Sequence, residues 1–489
     1  MKKKNVSSLS DHKVKKGKVV TPWNDTLGDK LQLNSWSNER LPEYIWLGLI
    51  LSTYGRTNGL NKAGSILSDI SKLKQSIYHP KLSLIFNLPE DIQRKVFDII
   101  IKHIKPSTLS PLTLVFRSHN EKTFYEYFCD HNKSSEQHIE MLSKAIRTYM
   151  PAQSNEATDL RFLAMSLQIF SGKLYLAESM EHIATVFQEY AYTDHSDEKM
   201  RSYRPTIRSM EGVEFEDYDN SKFINYFWSE LGMVTECKPM CIHFEEEVAN
   251  NDEYINDSEK VLDYLLVTNK GLSLSDHKFE VLLGKVTYAL KIFKEIVNCN
   301  LSNKILGRHA LRSIIEIYII VKYLLKMESE KPDIWREYKY YGISKYKLIL
   351  LKVREITSPE SLHFEPKLLD LLVNEKLWEE FIDVDLRYFD QLGIREKSIA
   401  VEEKELYDIS YDYDSSYAHG LWGAIRESSM LSCDNPAHRY HNVPDIYSDQ
   451  NLISVKPDCI KILNKCFSIL NDVYTIPKWY LNKYGIKVD

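Results

Sequence analysis

Two histidines with an arginine between them follow an Asn-Pro turn in the stretch CDNPAHRYH, which runs from Cys433 to His441. Three kinds of chemistry fit these residue types. The imidazoles of His438 and His441 can be satisfied by backbone carbonyls in a packed loop, or can join Arg439 in an anion or phosphate site. With His419 and Cys433 they can also ligate a metal, but a Cys-x4-His-x2-His spacing matches no established metal geometry. We therefore predict no metal and no cofactor here.

A second group of metal-ligating residue types lies in the stretch CKPMCIH, which contains Cys237, Cys241 and His243. A structural zinc site needs four ligands, and a fourth is not evident near this stretch. The surrounding sequence also lacks helical periodicity, so the segment is predicted to be irregular. We predict no zinc site there either.

A polar stripe runs along the stretch ELYDISYDYDSSYAHGLWGAIRES. Its members follow one another at helical spacings of three or four residues: Asp408, Asp412, Ser416, His419, Gly423 and Arg426. A histidine and glycines are poor choices for an exposed helix interior. Gly420 and Gly423 make more sense where another backbone or a ligand comes close. The pattern therefore predicts that Ser416 and His419 face the interior of a helix bundle.

The partners for that stripe are predicted on the stretch GRHALRSIIEIYIIVKYLL. At 100° per residue, Arg308, Arg312 and Glu316 fall on one helix face. Arg312 and Glu316 are four apart and can pair, which at a surface is worth only a few tenths of a kcal/mol. The rest of this helix is apolar on most sides, which predicts burial. A buried pair needs further partners, and we expect Ser416 and His419 to supply them.

One hypothesis built on these residues is an enzyme or toxin-like effector that acts on RNA or a nucleotide phosphate. His419 would be the general acid or base because imidazole titrates near neutral pH. Arg312 would neutralise phosphate charge, and Glu316 would orient an arginine or the histidine. The substrate-binding side chains would be Arg308, Ser416, Arg426, His438, Arg439 and His441.

The other hypothesis, which we favour, is a non-catalytic interaction or regulatory module. Its polar interior would fix helix register, and its surfaces would bind a protein partner or a second copy. The sequence has no Walker loop, no dinucleotide-binding glycine run, no Gly-x-Ser-x-Gly elbow and no His-Glu-x-x-His motif. These absences exclude several common enzyme classes, and the net charge of −6 does not indicate a nucleic-acid partner.

Two short motifs carry a resemblance to a known family. An Arg-x-x-x-Glu helix, from Arg312 to Glu316, is followed by a Ser-x-x-x-His-Gly helix, from Ser415 to Gly420. Over residues 275–445 the chain resembles a bacterial all-helical family that is classed only as a domain of unknown function. This resemblance implies a helical fold and carries no reaction over.

A looser resemblance is to HEPN-type helical bundles, which often serve in bacteria as RNA-cutting toxins or antiviral effectors. Their marker is an arginine followed four to six residues later by a histidine on the same helix. No such pair occurs near His419. The resemblance therefore gives little support to RNA cleavage of that type.

The elements that must position these residues are predicted to be helices throughout, in an all-α fold. Glycine, with 17 residues, and proline, with 16, are too scarce for a sheet-rich chain of 489 residues. Amphipathic periodicity recurs from end to end. In the second half it predicts long helices over residues 276–299, 301–327, 332–355, 366–391, 399–431 and 457–482.

The organisation predicted is a basic disordered tail (1–30), an N-terminal helical domain (31–192), an irregular acidic connector (193–260) and a C-terminal long-helix bundle (261–489). The bundle carries the candidate site. The tail has seven lysines and one aspartate in its first twenty residues. We expect it to be solvated, although a basic arm can also contact phosphates.

No membrane segment is predicted, because the most apolar stretch, IYIIVKYLL, is far too short for a bilayer and contains Lys322. The first twenty residues also lack the apolar core of a signal peptide. Seven cysteines without a framework spacing indicate reduced thiols, which predicts a cytoplasmic location.

Overall fold

The computed structural model describes residues 7–27, 35–73, 77–117, 121–173, 181–211, 219–245, 251–355, 363–448 and 450–486. Its helices dominate and its strands are short, which confirms the predicted all-α fold. Across these ranges, none of the helices combines the length and the apolar composition that crossing a membrane requires. The chain divides into two compact units.

The first unit comprises Met1–Met240 and returns for the short segment Ser432–His441. Its α-helices are α1 (Pro22–Leu27), α2 (Leu41–Tyr54), α3 (Arg56–Ser71), α4 (Leu82–Phe86), α5 (Glu90–His103), α6 (Lys122–Phe128), α7 (Ser135–Tyr149), α8 (Asn155–Phe170), α9 (Glu181–Glu189), α10 (Met200–Glu211) and α11 (Ser221–Val234). A π-helix spans Trp36–Arg40, and 3-10 helices span Leu9–Asp11, Pro106–Thr108, Ser110–Leu114, Tyr190–Tyr192 and Pro436–His438.

The short strands of this unit form two pairs. β1 (Lys13–Lys15) and β2 (Lys18–Val20) make an antiparallel hairpin within the predicted basic tail. β3 (Pro239–Met240) pairs antiparallel with the end of β4 (Met430–Cys433), with Pro239 opposite Cys433. The second pair therefore brings two segments together that are distant in the sequence.

The core of the first unit forms around α2, whose residues from Leu41 to Leu51 are all buried. A helix that is apolar on nearly every side must lie inside its unit. Local signals set its ends, because Pro42 occupies its first turn and Gly55 follows its last residue with a φ of 75°. The start of α7 is set by a capping box between Ser134 and Gln137.

The second unit comprises Cys241–Leu431 and Asn442–Asp489. Its α-helices are α12 (Asn251–Thr268), α13 (His277–Asn298), α14 (Ile305–Met327), α15 (Ile334–Glu355), α16 (Pro366–Val373), α17 (Ile394–Ala400), α18 (Lys404–Leu406), α19 (Asp412–Ala418), α20 (Trp422–Ser429), α21 (Lys456–Tyr474) and α22 (Lys478–Tyr484). A π-helix spans Tyr407–Tyr411, 3-10 helices span Leu272–Leu274, Glu379–Phe381 and Phe389–Gln391, and β5 spans Asn442–Pro444. Side chains of α13, α14 and α21 share its main core.

Three of the predicted long helices are wrong. The helix expected over 457–482 is divided into α21 and α22 at Thr475, which has a φ of 55°. The helix expected over 366–391 ends at Val373, and beyond it Lys347 of α15 donates to the carbonyls of Glu379 and Ile382, at 2.6 and 3.0 Å. These tertiary bonds satisfy backbone groups that a helix would otherwise pair internally. The helix expected over 399–431 is divided into α17 to α20, with left-handed residues at Glu402 (φ 62°) and Gly420 (φ 57°).

The structure also contains helices in the segment predicted as an irregular connector, 193–260, namely α10, α11 and the start of α12. The first compact unit extends through most of that segment, to Met240. The predicted domain boundaries themselves remain a prediction.

Candidate functional site

The predicted pair of Arg312 and Glu316 lies on α14 in the second unit. The Nη1 atom of Arg312 is 3.6 Å from Oε2 of Glu316, and each side chain is about a quarter exposed, at 27% and 25%. The pair is therefore partly buried rather than enclosed. Its spacing of four residues brings the two groups together within one helix, as the sequence predicts.

Hydroxyl groups from outside α14 complete this pair. Arg312 donates from Nε to Oγ of Ser415 at 3.0 Å and from Nη2 to the Tyr411 hydroxyl at 2.6 Å. That hydroxyl in turn donates to Glu316 at 3.0 Å, and the hydroxyl of Tyr388 donates to the other Glu316 oxygen at 3.0 Å. We call these five residues the Arg–Glu network.

The phenols of the network are held in their protonated form. Burial raises the pKa of Tyr411, and the negative charge of Glu316 raises it further. The same two causes raise the pKa of Tyr388. Both hydroxyls therefore remain hydrogen-bond donors to Glu316 throughout the neutral pH range.

The predicted contributions of Ser416 and His419 need correction. Ser416 donates within its own helix, to the carbonyl of Tyr413 at 2.6 Å, and its neighbour Ser415 contacts Arg312 instead. His419 follows the last residue of α19, is exposed, and takes no part in the Arg–Glu network. The prediction assumed one continuous helix, whereas Gly420 adopts a left-handed conformation and ends α19 there.

Arg308 is buried, with 6% of its surface exposed, one turn before Arg312. It donates to the carbonyl of Ile453 at 2.7 Å, and its guanidinium carbon lies 5.7 and 5.9 Å from the ring centres of Tyr413 and Tyr417. Arg426 is committed to backbone as well, since it donates to the carbonyl of Met430 at 3.0 Å. Neither arrangement resembles an open substrate clamp.

The sequence interpretation missed Asp414, whose side chain is only 1% exposed. Neither of its carboxylate oxygens has a hydrogen-bond partner among the described residues. The pKa of the Asp414 carboxyl is raised to about 7. Burial is the largest cause and Asp458 adds to it, while the positive charges of Arg308 and Arg312 act in the opposite direction. A signal was available, because Asp414 lies three residues from both Tyr411 and Tyr417, which are buried.

His438, Arg439 and His441 belong to the first unit, whereas the residues of the Arg–Glu network belong to the second. There the two histidines meet Cys433 from the same segment and Cys237 from the stretch after α11. One ligand atom from each of these four residues lies within 4.8 Å of all the others. We call them the Cys–His cluster.

Individual distances show how the Cys–His cluster converges. The Cys237 sulfur is 3.3 Å from Nε2 of His441, and the Cys433 sulfur is 3.8 Å from Nδ1 of His438. Cys433 is fully buried, whereas Cys237 and His441 lie at the surface. Desolvation and the neighbouring Cys433 raise the pKa of Cys237, while desolvation, His438 and Arg439 lower that of His441.

A cavity of about 390 Å³ adjoins this cluster within the first unit. Its walls are formed by Asn225, Trp228, Ser229, Gly232, Ala437, His438, Arg439 and His441. The Arg439 guanidinium carbon lies 5.7 Å from the centre of a Trp228 ring. A cation and an aromatic face therefore border the same space.

The single site predicted from the sequence is thus divided between the two units. The second unit brings together Arg312, Glu316 and the unpredicted Ser415, while the first brings together His438, His441 and the two cysteines. Of the other residues of metal-ligating type in the two stretches, Cys241 and His243 belong to the second unit.

These features define an all-helical protein with two units and a polar network in the second. Residues 279–438 match the model of a family described as "Family of unknown function (DUF5677)". The predicted resemblance to a helical domain of unknown function is thereby confirmed. No curated protein and no solved structure gives a match to this chain.

Proposed function

We propose that this chain is a non-catalytic interaction or regulatory module in which the Arg–Glu network fixes the register of α14 against neighbouring segments. The observation that carries the proposal is that Arg312 and Glu316 are hydrogen-bonded to side chains from outside α14. The arginine donates to two hydroxyls, and the carboxylate accepts from two tyrosines. These hydrogen bonds give both side chains a structural role that requires no substrate.

A network of this kind has a physical purpose without catalysis. A slip of one residue between α14 and the segment of Tyr411 and Ser415 would leave the polar groups of Arg312 and Glu316 without their partners. A partly buried charged group that loses its hydrogen-bond partners costs about 1–3 kcal/mol, so the network disfavours other registers. His419, the residue expected to act as acid or base, is separate from it.

The surface proposed to bind a partner is the start of α20. Leu421, Trp422 and Ile425 expose 55%, 63% and 37% of their surfaces, and they lie one turn or less apart. Exposed apolar patches mark protein interaction sites. Because most soluble oligomers are built from identical chains, a second copy is the partner to test first.

The absence of catalysis is tested with the purified full chain, single-stranded RNA and nucleoside triphosphates. We expect the wild type and Glu316→Gln to give the same background turnover. Turnover by the wild type that Glu316→Gln abolishes, while its circular dichroism spectrum and melting temperature are retained, would overturn the proposal.

The partner surface is tested by sedimentation velocity over a wide range of protein concentrations. We expect the wild type to self-associate and Trp422→Ser to weaken that association. The matched control is Leu274→Ser, since Leu274 is 85% exposed but distant in the sequence from α20. Equal sedimentation of the wild type and Trp422→Ser at every concentration would exclude α20 as a surface for a second copy.

A second candidate function is the recognition of RNA or a nucleotide phosphate, as in an effector enzyme. The observation that favours it is the cavity beside Arg439 and Trp228, which pairs a phosphate-binding cation with a ring on which a base can stack. Quenching of tryptophan fluorescence by nucleotides or oligonucleotides tests it. Quenching in the wild type that is lost in Arg439→Gln would support this function. No quenching of the wild type at millimolar ligand would reject it.

A further inference from the structure

We propose that the Cys–His cluster binds one zinc ion through Cys237, Cys433, His438 and His441. Zn–S bonds of about 2.3 Å and Zn–N bonds of about 2.0 Å in a tetrahedron separate a sulfur from a nitrogen by about 3.5 Å. The two sulfur–nitrogen separations in the cluster, 3.3 and 3.8 Å, lie on either side of that value. All pairs of ligand atoms in the cluster lie within 4.8 Å, so closing the site around the ion needs shifts of about 1 Å or less.

The outer contacts of the cluster are those that zinc ligands normally have. His438 directs Nδ1 towards Cys433 and has Nε2 3.2 Å from the carbonyl oxygen of Thr235. An Nε2–H bond to that carbonyl leaves Nδ1 unprotonated, which is the tautomer that ligates a metal. The backbone amide of Lys238 donates to the Cys433 sulfur at 3.3 Å, which favours a thiolate.

Backbone contacts bring the two ligand-bearing segments together independently of any metal. The amide of Asp434 donates to the carbonyl of Lys238 at 2.8 Å, and the side chain of Asn435 donates to the carbonyl of Glu236 at 2.8 Å. Within the second segment, the Cys433 amide donates to the carbonyl of His441 at 2.9 Å. The positions of the ligands are thus set by hydrogen bonds on several sides.

The backbone between the two histidine ligands is in an unusual conformation. Arg439 and Tyr440 have φ values of 55° and 50°, a left-handed conformation that costs free energy in residues with a side chain. The tight turn they form allows His438 and His441 to reach the same point. A metal bond to both imidazoles would offset that cost.

The donor set selects the class of metal and its role. Two sulfurs and two imidazole nitrogens in a near-tetrahedral arrangement suit zinc, and four protein ligands leave no position open for a substrate. On binding, the zinc ion displaces one proton from each of the two thiols, so two protons are released. The role inferred is structural, because the ion joins Cys237 to His441, which are 204 positions apart in the chain.

This inference is independent of the proposed function and is tested on the purified full chain under reducing conditions. After incubation with zinc sulfate and gel filtration, we expect about one zinc per chain by mass spectrometry. Cys237→Ser and His441→Gln should each lose most of it. The matched controls, Cys241→Ser and His243→Gln, should retain it, because neither residue belongs to the cluster.

Two further measurements keep the test valid if a variant fails to fold. Cobalt added to the wild type should give the absorption of a tetrahedral site with thiolate ligands. Zinc should also slow the alkylation of Cys237 by N-ethylmaleimide without changing that of Cys299, an exposed thiol outside the cluster. Reduced wild-type protein without bound zinc, or equal zinc in Cys237→Ser, would overturn the proposal.

Discussion

The buried carboxyl group of Asp414 should make the stability of this protein depend on pH. Its side chain is 1% exposed, and neither oxygen has a hydrogen-bond partner among the described residues. Burial raises its pKa from 3.8 to about 7, against the opposing charges of Arg308 and Arg312. At neutral pH the Asp414 carboxyl is therefore still protonated in a fraction of the folded molecules, whereas in the unfolded chain it has lost its proton.

The sign and size of the effect follow from proton linkage. A group that binds its proton more tightly when folded stabilises the protein least at high pH, so the free energy of unfolding falls as pH rises from about 4 to about 7. The slope is about 1.4 kcal/mol per pH unit while only the folded chain is protonated, and it levels off above the raised pKa. The expected loss between about pH 5 and about pH 8 is about 2.5 kcal/mol.

The substitution Asp414→Asn removes this titration while keeping the size of the side chain. Urea unfolding followed by circular dichroism at the two pH values should show a pH dependence smaller by about 2.5 kcal/mol than in the wild type. The control is Asp412→Asn, because Asp412 is exposed on the same helix. If Asp414→Asn and the wild type lose the same free energy of unfolding between these pH values, the reasoning is refuted.

Three other predictions concern the Arg–Glu network and the helix that faces it. Ser415→Ala should lower the free energy of unfolding by about 1 kcal/mol, because Arg312 loses a hydrogen-bond acceptor. Ser416→Ala should change it by less than about 0.5 kcal/mol. Equal losses for the two variants in urea titrations would contradict the assigned contacts. Tyr411→Phe removes a hydroxyl bonded on both sides and should cost about 1–3 kcal/mol by the same assay, and an unchanged midpoint would argue against the bridge. Gly420→Ala should lower the melting temperature, because a φ of 57° costs alanine about 1 kcal/mol. His419→Ala should leave the melting temperature unchanged. A lower melting temperature for His419→Ala than for Gly420→Ala in calorimetry would contradict the left-handed conformation of Gly420.

The sequence by itself predicts much of the helical architecture. Helix periodicity and local end signals depend on neighbouring residues, and the observed α13, α14 and α15 lie within a few residues of the predicted ranges. The pairing of Arg312 with Glu316 is local in the same sense, because four residues make one helical turn.

Tertiary structure decided which residues face that pair. Tyr411 and Ser415 are four residues apart and share the helix face that reaches Arg312, so Ser415 rather than Ser416 contacts it. The break at Gly420 likewise removes His419 from the stripe to which a continuous helix would assign it. Which face of a helix meets a neighbouring helix depends on packing that a periodic pattern does not encode.

The Cys–His cluster shows the same limit over a longer distance. Each half was recognisable in the sequence, as CKPMCIH and as CDNPAHRYH, but neither half has four converging ligands. Their meeting depends on β3 pairing with β4, where Pro239 lies opposite Cys433. Residue type and local spacing determine which ligands a segment can offer. Only the folded chain decides which distant segment supplies the remaining ligands, because strand pairing joins segments that are far apart in the sequence.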